Sequence, residues 1–199
     1  MSREMWDQRY ASEEYVYGTA PNLFFEQTLR DLTPGTLLLP AEGEGRNAVF
    51  AAGCGWKVSA FDQSVEARSK ALKLAAEKGV EIDYTIGDLE HYSFPEELFD
   101  AIALIFVHMP GSKRRALHRK FAGMLKPGGT LILAGFAREQ VAYSSGGPKD
   151  ESMLFSLDEL KQDFEGLEIR LAEHLETELS EGDHHKGTAS VIHMLVVRP

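Results

Sequence analysis

Short apolar runs alternate with longer amphipathic stretches through the first two thirds of the chain, and that alternation predicts a parallel sheet covered by helices on both faces. Thr36–Leu39 reads as the first strand, which breaks at Pro40 into the loop Ala41–Gly45 before a helix over Arg46–Ala52. Lys57–Phe61 reads as the second strand and stops at Asp62. Ser64 stands at an N-cap, Glu66 favours the positive end of the helix that follows, and Gly79 closes that helix. Ile82–Ile86 forms the third strand. Ala101–Val107 is unbroken apolar sequence, as a central strand buried on both faces requires. A helix from about Lys113 to Leu125 leads to Lys126-Pro127-Gly128-Gly129, read as a turn, and Thr130–Gly135 forms the fifth strand.

The tail differs in kind. Ser156 and Glu159 have capping-box spacing at the start of a short helix. Two strand-like segments follow, Leu167–Leu179 and Ser190–Arg198. The linker Ser180–Ala189 is too short for a crossover helix, so the two should pair antiparallel as a hairpin. The fold expected is therefore α/β: a seven-stranded sheet, mostly parallel, with a C-terminal antiparallel hairpin.

Composition narrows the function classes. A chain of 199 residues with 43% hydrophobic content can bury one sizeable core, so a single domain over 1–199 is expected. The formal net charge of -10 repels phosphate backbones and anionic lipid, which argues against nucleic acid and membrane as partners. The densest basic cluster, Lys113-Arg114-Arg115 with His118, Arg119 and Lys120, has the spacing of one solvated helix face. The lone cysteine, Cys54 between two glycines, allows no intramolecular disulfide and reads as a small buried turn residue. MSREMWDQRY has no apolar signal core, and the longest apolar run is far short of a membrane span. A cytoplasmic protein is expected.

In an open α/β sheet, ligands bind beyond the carboxyl ends of the parallel strands, so the loops after the strands carry the candidate chemistry. In the first, Gly43 and Gly45 allow backbone to approach a ligand at a helix N-terminus; with Ala48 they also fit a dinucleotide fingerprint. Asp62 can accept hydrogen bonds from two ribose hydroxyls, or serve only as a helix-start carboxylate. Asp88 can accept from an adenine amino group while Leu89 covers the ring, or Asp88 is simply a turn aspartate. His108, after the fourth strand, is a candidate catalytic residue or a hydrogen-bonded structural one. In the final hairpin loop, His184 and His185 are candidates for a general base, against a solvated polar turn. Adjacent histidines face apart on extended chain and no third ligand can be placed, so no metal site is expected.

Taken together, LLLPAEGEGRN, Asp62, the GDL at Gly87, FDAIALIFVHMP and LKPGGTLIL resemble class I methyltransferases in order and spacing, over nearly the whole chain. The resemblance implies a Rossmann-like core over 33–199, S-adenosyl-L-methionine (SAM) as cofactor, and methyl transfer to an S, N, O or metalloid nucleophile of a small molecule. An NAD-dependent oxidoreductase and a non-catalytic SAM-binding sensor are the alternatives. The N-terminal stretch with Trp6, Arg9, Tyr10, Tyr17, Gly18, Pro21 and Asn22 is similar to the tellurite-resistance and thiopurine-type small-molecule methyltransferases, which implies lid helices over 1–32. On this resemblance Trp6, Tyr17, Ala41, Glu42, Gln63 and Val107 join the glycines, Asp62, Asp88 and Leu89 as cofactor-binding residues. YSSGGPKD, Tyr143–Asp150, looks like a segment of small bacterial enzymes of this sort, whose two glycines and Lys149 could grip an anionic acceptor or merely form a mobile lid. The chain departs from the family pattern at the end of the first strand. Leu39 stands where an acid is usual and Ala41 where glycine is usual, with Glu42 or Glu44 as substitutes toward a methionine amino group.

Overall fold

In a computed structural model describing residues 2–92 and 94–199, seven strands form one sheet in the order β3-β2-β1-β4-β5-β7-β6. The elements in chain order are α1 (Arg3–Tyr10), α2 (Leu23–Asp31), β1 (Thr36–Pro40), α3 (Arg46–Gly53), β2 (Lys57–Asp62), α4 (Val65–Lys78) and β3 (Asp83–Ile86). They continue with β4 (Phe99–Ile105), α5 (Gly111–Gly123), β5 (Leu125–Phe136), α6 (Leu157–Asp163), β6 (Glu168–Ser180) and β7 (Lys186–Val197). By contacts the chain divides into two units, Met1–Ser93 with Glu181–His184, and Phe94–Ser180 with His185–Pro199.

In the first unit, β1 and β3 each pair parallel with β2. Leu37, Leu38 and Leu39 are fully buried, as a strand covered on both faces demands; each such side chain contributes about 1.5–3 kcal/mol on leaving water. The expected caps are present. Ser64 Oγ accepts the Ala67 N–H at 3.1 Å, and Gly79 ends α4 in the left-handed region at φ 67°. Asn22 caps α2 by accepting the Phe25 N–H at 3.1 Å. Cys54 is the half-buried C-cap of α3.

In the second unit β4 pairs parallel with β5, and β7 runs antiparallel to both β5 and β6, so the tail is the expected hairpin. Two local expectations change. Lys126–Gly129 does not separate a helix from a strand. It lies inside β5 as a bulge, where the ladder jumps from Phe99↔Leu125 to Ala101↔Thr130. Gly128 sits at φ 80° with its N–H on the Arg198 carbonyl at 2.8 Å, and a Cβ at Gly129 would meet three carbonyl oxygens. The turn residues were read correctly as chemistry, but a bulge needs the same left-handed glycine that a turn does.

The basic cluster on α5 is also not one solvated face. Lys113, Arg115 and Arg119 are exposed, whereas Arg114 and His118 are buried against α6. Arg114 Nε donates to Asp163 Oδ2 at 2.6 Å, and His118 Nδ1 lies 2.9 Å from the same oxygen. The His118 ring stacks on Phe164 at 5.0 Å. Burial tends to raise the Asp163 carboxyl, but the hydrogen bonds from His118 and Arg114 outweigh it and hold the group below its ordinary range.

Candidate active site in the first βα loop

The loop after β1 is held by its own carboxylates. Gly45, the N-cap of α3, has no side chain to cap with, and Glu42 takes that role from three positions earlier. Its Oε1 accepts the N–H groups of Asn47 and Ala48 at 2.8 Å each, and Oε2 accepts Asn47 Nδ2 at 3.3 Å. Burial pushes the Glu42 carboxyl up to about 7 despite these bonds. Ala41 lies at φ 50°, so an alanine adopts the left-handed backbone that a glycine takes without strain.

Gly43 is gripped on every side. Asp62 Oδ2 accepts its N–H at 3.1 Å, the Tyr84 hydroxyl donates to its carbonyl, and a Cβ on it would lie 2.9 Å from the Tyr10 hydroxyl. A Cβ on Gly45 would lie 2.6 Å from that of Ala71, so this glycine lets the start of α3 press against α4. Glu44 does not offer a free carboxylate toward a methionine end. Its Oε2 accepts the Val16 N–H at 2.8 Å and its Oε1 pairs with Lys70 Nζ at 2.5 Å.

Asp62 ends β2 and is buried. Its Oδ1 accepts the Ser64 N–H at 2.9 Å while Oδ2 serves Gly43. Burial raises this carboxyl, and the backbone bonds from Ser64, Gly43 and Gln63 offset only part of the rise. The two carboxylate oxygens carry four lone pairs, so these three backbone bonds still leave acceptor capacity for a hydroxyl. Gln63, half-buried, follows directly.

The N-terminal segment covers this loop with rings. Tyr10 is 4% exposed, stacks on Trp6 at 5.4 Å and meets Tyr17 edge-on at 6.5 Å. Arg9 lies 5.1 Å over the Trp6 ring and donates to the Tyr17 hydroxyl at 3.1 Å. Asp7 accepts from Ser64 Oγ at 2.6 Å and from the Val65 N–H at 3.0 Å, which fixes α1 to the start of α4.

Residues 40–129 match the family model described as a methyltransferase domain. That match spans 90 of the 199 residues, from the end of β1 to the bulge in β5. Solved structures share the fold. One, from work on conversion of a disulfide bond into a thioacetal group during echinomycin biosynthesis, has a TM-score of 0.81 at 19% identity, covering 98% of this chain and 91% of that one. TehB from Haemophilus influenzae has a TM-score of 0.76 at 16% identity, covering 99% of this chain and 67% of that one. A SAM-dependent methyltransferase from Methanosarcina mazei has a TM-score of 0.70 at 17% identity, covering 86% of this chain and 96% of that one. Among proteins of curated function, no sequence matches.

The remaining candidate residues fall in different surroundings. Asp88 is exposed and folds its own turn: Oδ1 accepts the N–H groups of Glu90 and His91 at 2.9 and 3.0 Å. Desolvation works to raise its carboxyl, but the bonds from His91 and Glu90 prevail and lower it. Leu89 beside it is half-buried. Tyr92 stacks on Phe61 at 4.2 Å and fills the space a Cβ at Gly87 would need. His184 is exposed with its ring 6.3 Å from Tyr17.

In the second unit, Val107 is buried after β4. His108 meets backbone at both ring nitrogens. Its Nδ1 lies 2.8 Å from the Met153 carbonyl, and Nε2 accepts the Phe136 N–H at 3.1 Å. With both nitrogens on backbone, the ring has no lone pair for a substrate proton, and burial pushes it down to about 4. His185 is buried with its ring 4.6 Å from Phe106 and 5.2 Å from Phe136. Phe106 stands at φ 54°, an unusual conformation for a bulky side chain. In YSSGGPKD, Gln140 organises the turn by donating to Ser145 Oγ at 2.9 Å and the Gly146 carbonyl at 3.1 Å, while Lys149 is exposed. Among the described residues no group of three or more His, Cys, Asp or Glu is placed to hold a metal, and no helix is long and apolar enough to cross a membrane.

Sequence reading did not single out Asp7, Tyr84, Asn47 or Arg46. Each acts through a partner that periodicity cannot reveal; Asp7 and Ser64 are 57 positions apart.

Proposed function

We propose that this domain methylates a small-molecule acceptor, in the manner of the tellurite-resistance and thiopurine-type enzymes, with the ribose of SAM held by Asp62. The observation that carries the reading is the buried Asp62 carboxylate, aimed by backbone N–H groups at the end of β2 and keeping acceptor capacity for a ribose hydroxyl. Trp6, Tyr10 and Tyr17 over the adjoining loop exclude water and restrict the acceptor to a compact molecule. Bound SAM supplies a methyl group already activated by its sulfonium. The chain therefore needs chiefly to align the reactants, an effect that reaches roughly 7–11 kcal/mol in favourable cases.

Ala41, Glu42, Gly43 and Gly45 shape the loop that meets the cofactor; Gln63, Asp88 and Leu89 stand beside the adenosine end. A base is needed only where the nucleophile arrives protonated. Exposed and beside Tyr17, His184 is better placed for that than His185, whose ring is buried against two phenylalanines. Calorimetric titration with SAM tests the reading. Binding by the wild type and a loss of about tenfold or more in Asp62→Asn are expected, because an amide offers fewer acceptor sites and no charge. Equal affinity in the two proteins would show that the ribose lies elsewhere.

A further inference from the structure

The loop of the tail hairpin, Glu181–His184, groups by its contacts with the first unit. Glu181 Oε2 accepts from Arg46 Nη2 at 2.8 Å, and both side chains are about nine-tenths buried, at 11% and 9% exposure. Its Oε1 accepts Asn22 Nδ2 at 2.8 Å. Arg46 is the first residue of α3, and its Nη1 donates to the Tyr17 carbonyl at 3.4 Å. Asn22 in turn donates its N–H to Asn47 Oδ1 at 2.9 Å, and Asn47 Nδ2 donates to Glu42. Glu181 thus closes a ring of bonds that runs through the N-terminal segment and back to the cap of the cofactor loop.

Backbone packing agrees independently. Gly182 sits at φ 70°, and a Cβ there would lie 2.3 Å from the Val16 carbonyl and 2.8 Å from Tyr17 Cα. Only glycine allows the hairpin loop to lie this close to the aromatic segment.

We propose that Glu181 is a positioning residue for the methyltransferase reaction: through Arg46 and Asn22 it holds the start of α3 and the chain at Tyr17 in the arrangement that binds SAM. The proposal rests on SAM binding at the first loop. Removing one member of a buried ion pair leaves its partner uncompensated, so Glu181→Gln and Arg46→Gln should each weaken SAM about tenfold, within the range that coupled sites span. The double variant should be no worse than the weaker single variant, because the two residues act as one unit.

Hydrogen exchange on the wild type provides a second measurement that needs no substitution. SAM should slow exchange at 182–184 together with 15–18 and 45–48. Unchanged affinity in Glu181→Gln, strictly additive losses in the double variant, or protection at 45–48 with none at 182–184 would overturn the proposal. A wild-type chain that binds no SAM would overturn the functional reading first, and this proposal with it.

Discussion

Replacing Glu42 with glutamine separates its two effects on the first loop, the cap it provides and the charge it buries. The amide oxygen of Gln can accept the Asn47 and Ala48 N–H groups as Oε1 does now, so the cap survives, while its Nε2 gives up the long 3.3 Å bond from Asn47 Nδ2, a loss that is the same at every pH. What disappears is the cost of keeping a carboxylate away from water. The rise from the ordinary 4.5 to about 7 corresponds to roughly 3 kcal/mol. Its sign follows from proton binding. Between 4.5 and about 7 the folded chain holds the Glu42 proton and the unfolded chain does not, so this group's contribution falls as pH rises and is fully lost above that window.

His108 works in the opposite direction. Its ring is pushed from 6.5 down to about 4, so it lowers stability as pH falls below 6.5. The wild-type curve therefore superimposes opposing trends, and only the difference between variant and wild type isolates Glu42. Urea unfolding followed by circular dichroism, from about pH 5 to about pH 8, measures that difference. Glu42→Gln should gain little near pH 5 and up to roughly 3 kcal/mol near pH 8. A gain that is absent, or the same at every pH, would refute the argument that burial of this carboxyl dominates its energetics.

Two further outcomes follow from the same structure. Asp163→Ala leaves His118 without its carboxylate and Arg114 with only Glu159, at 3.3 Å, and should cost about 3 kcal/mol in denaturant unfolding, whereas an exposed pair such as Arg115–Glu165 should give less than about 1 kcal/mol when broken. Ala41→Gly should leave the protein as stable or raise its thermal midpoint slightly, because about 1 kcal/mol of left-handed strain is relieved against a similar loss of chain entropy; a clear fall in the midpoint would mean the alanine methyl is packed to advantage.

The parallel strands were legible because burial on both faces writes itself as unbroken apolar runs, as in Leu37–Leu39 and Ala101–Leu104, and the hairpin because its linker is too short for a crossover; the order of the strands in the sheet was not read from the sequence. Caps at Ser64 and Gly79 were legible because they are local. Lys126–Gly129 was ambiguous because a turn and a bulge use the same residues. Arg114 and His118 were misjudged because helical spacing tells which residues share a face and not whether Asp163 waits opposite. At the candidate site, the glycines and Asp62 stood out by position in the fold. His108 did not reveal its two backbone partners, Phe136 and Met153, since both come from later in the chain. The duties of Glu42 and Glu44 were likewise hidden, because a carboxylate in a loop reads alike whether it faces a ligand or fastens the protein to itself.

The bond from Asn22 to Glu181 spans 159 positions. During synthesis, the glycine loop and the aromatic segment will have left the ribosome long before Glu181 is added, and until then Arg46 and Asn22 must wait in water without their partner. The loop after the first strand is therefore among the last parts to gain all its bonds, so a nascent protein stalled before its final hairpin would have most of its sheet but an unfinished first loop.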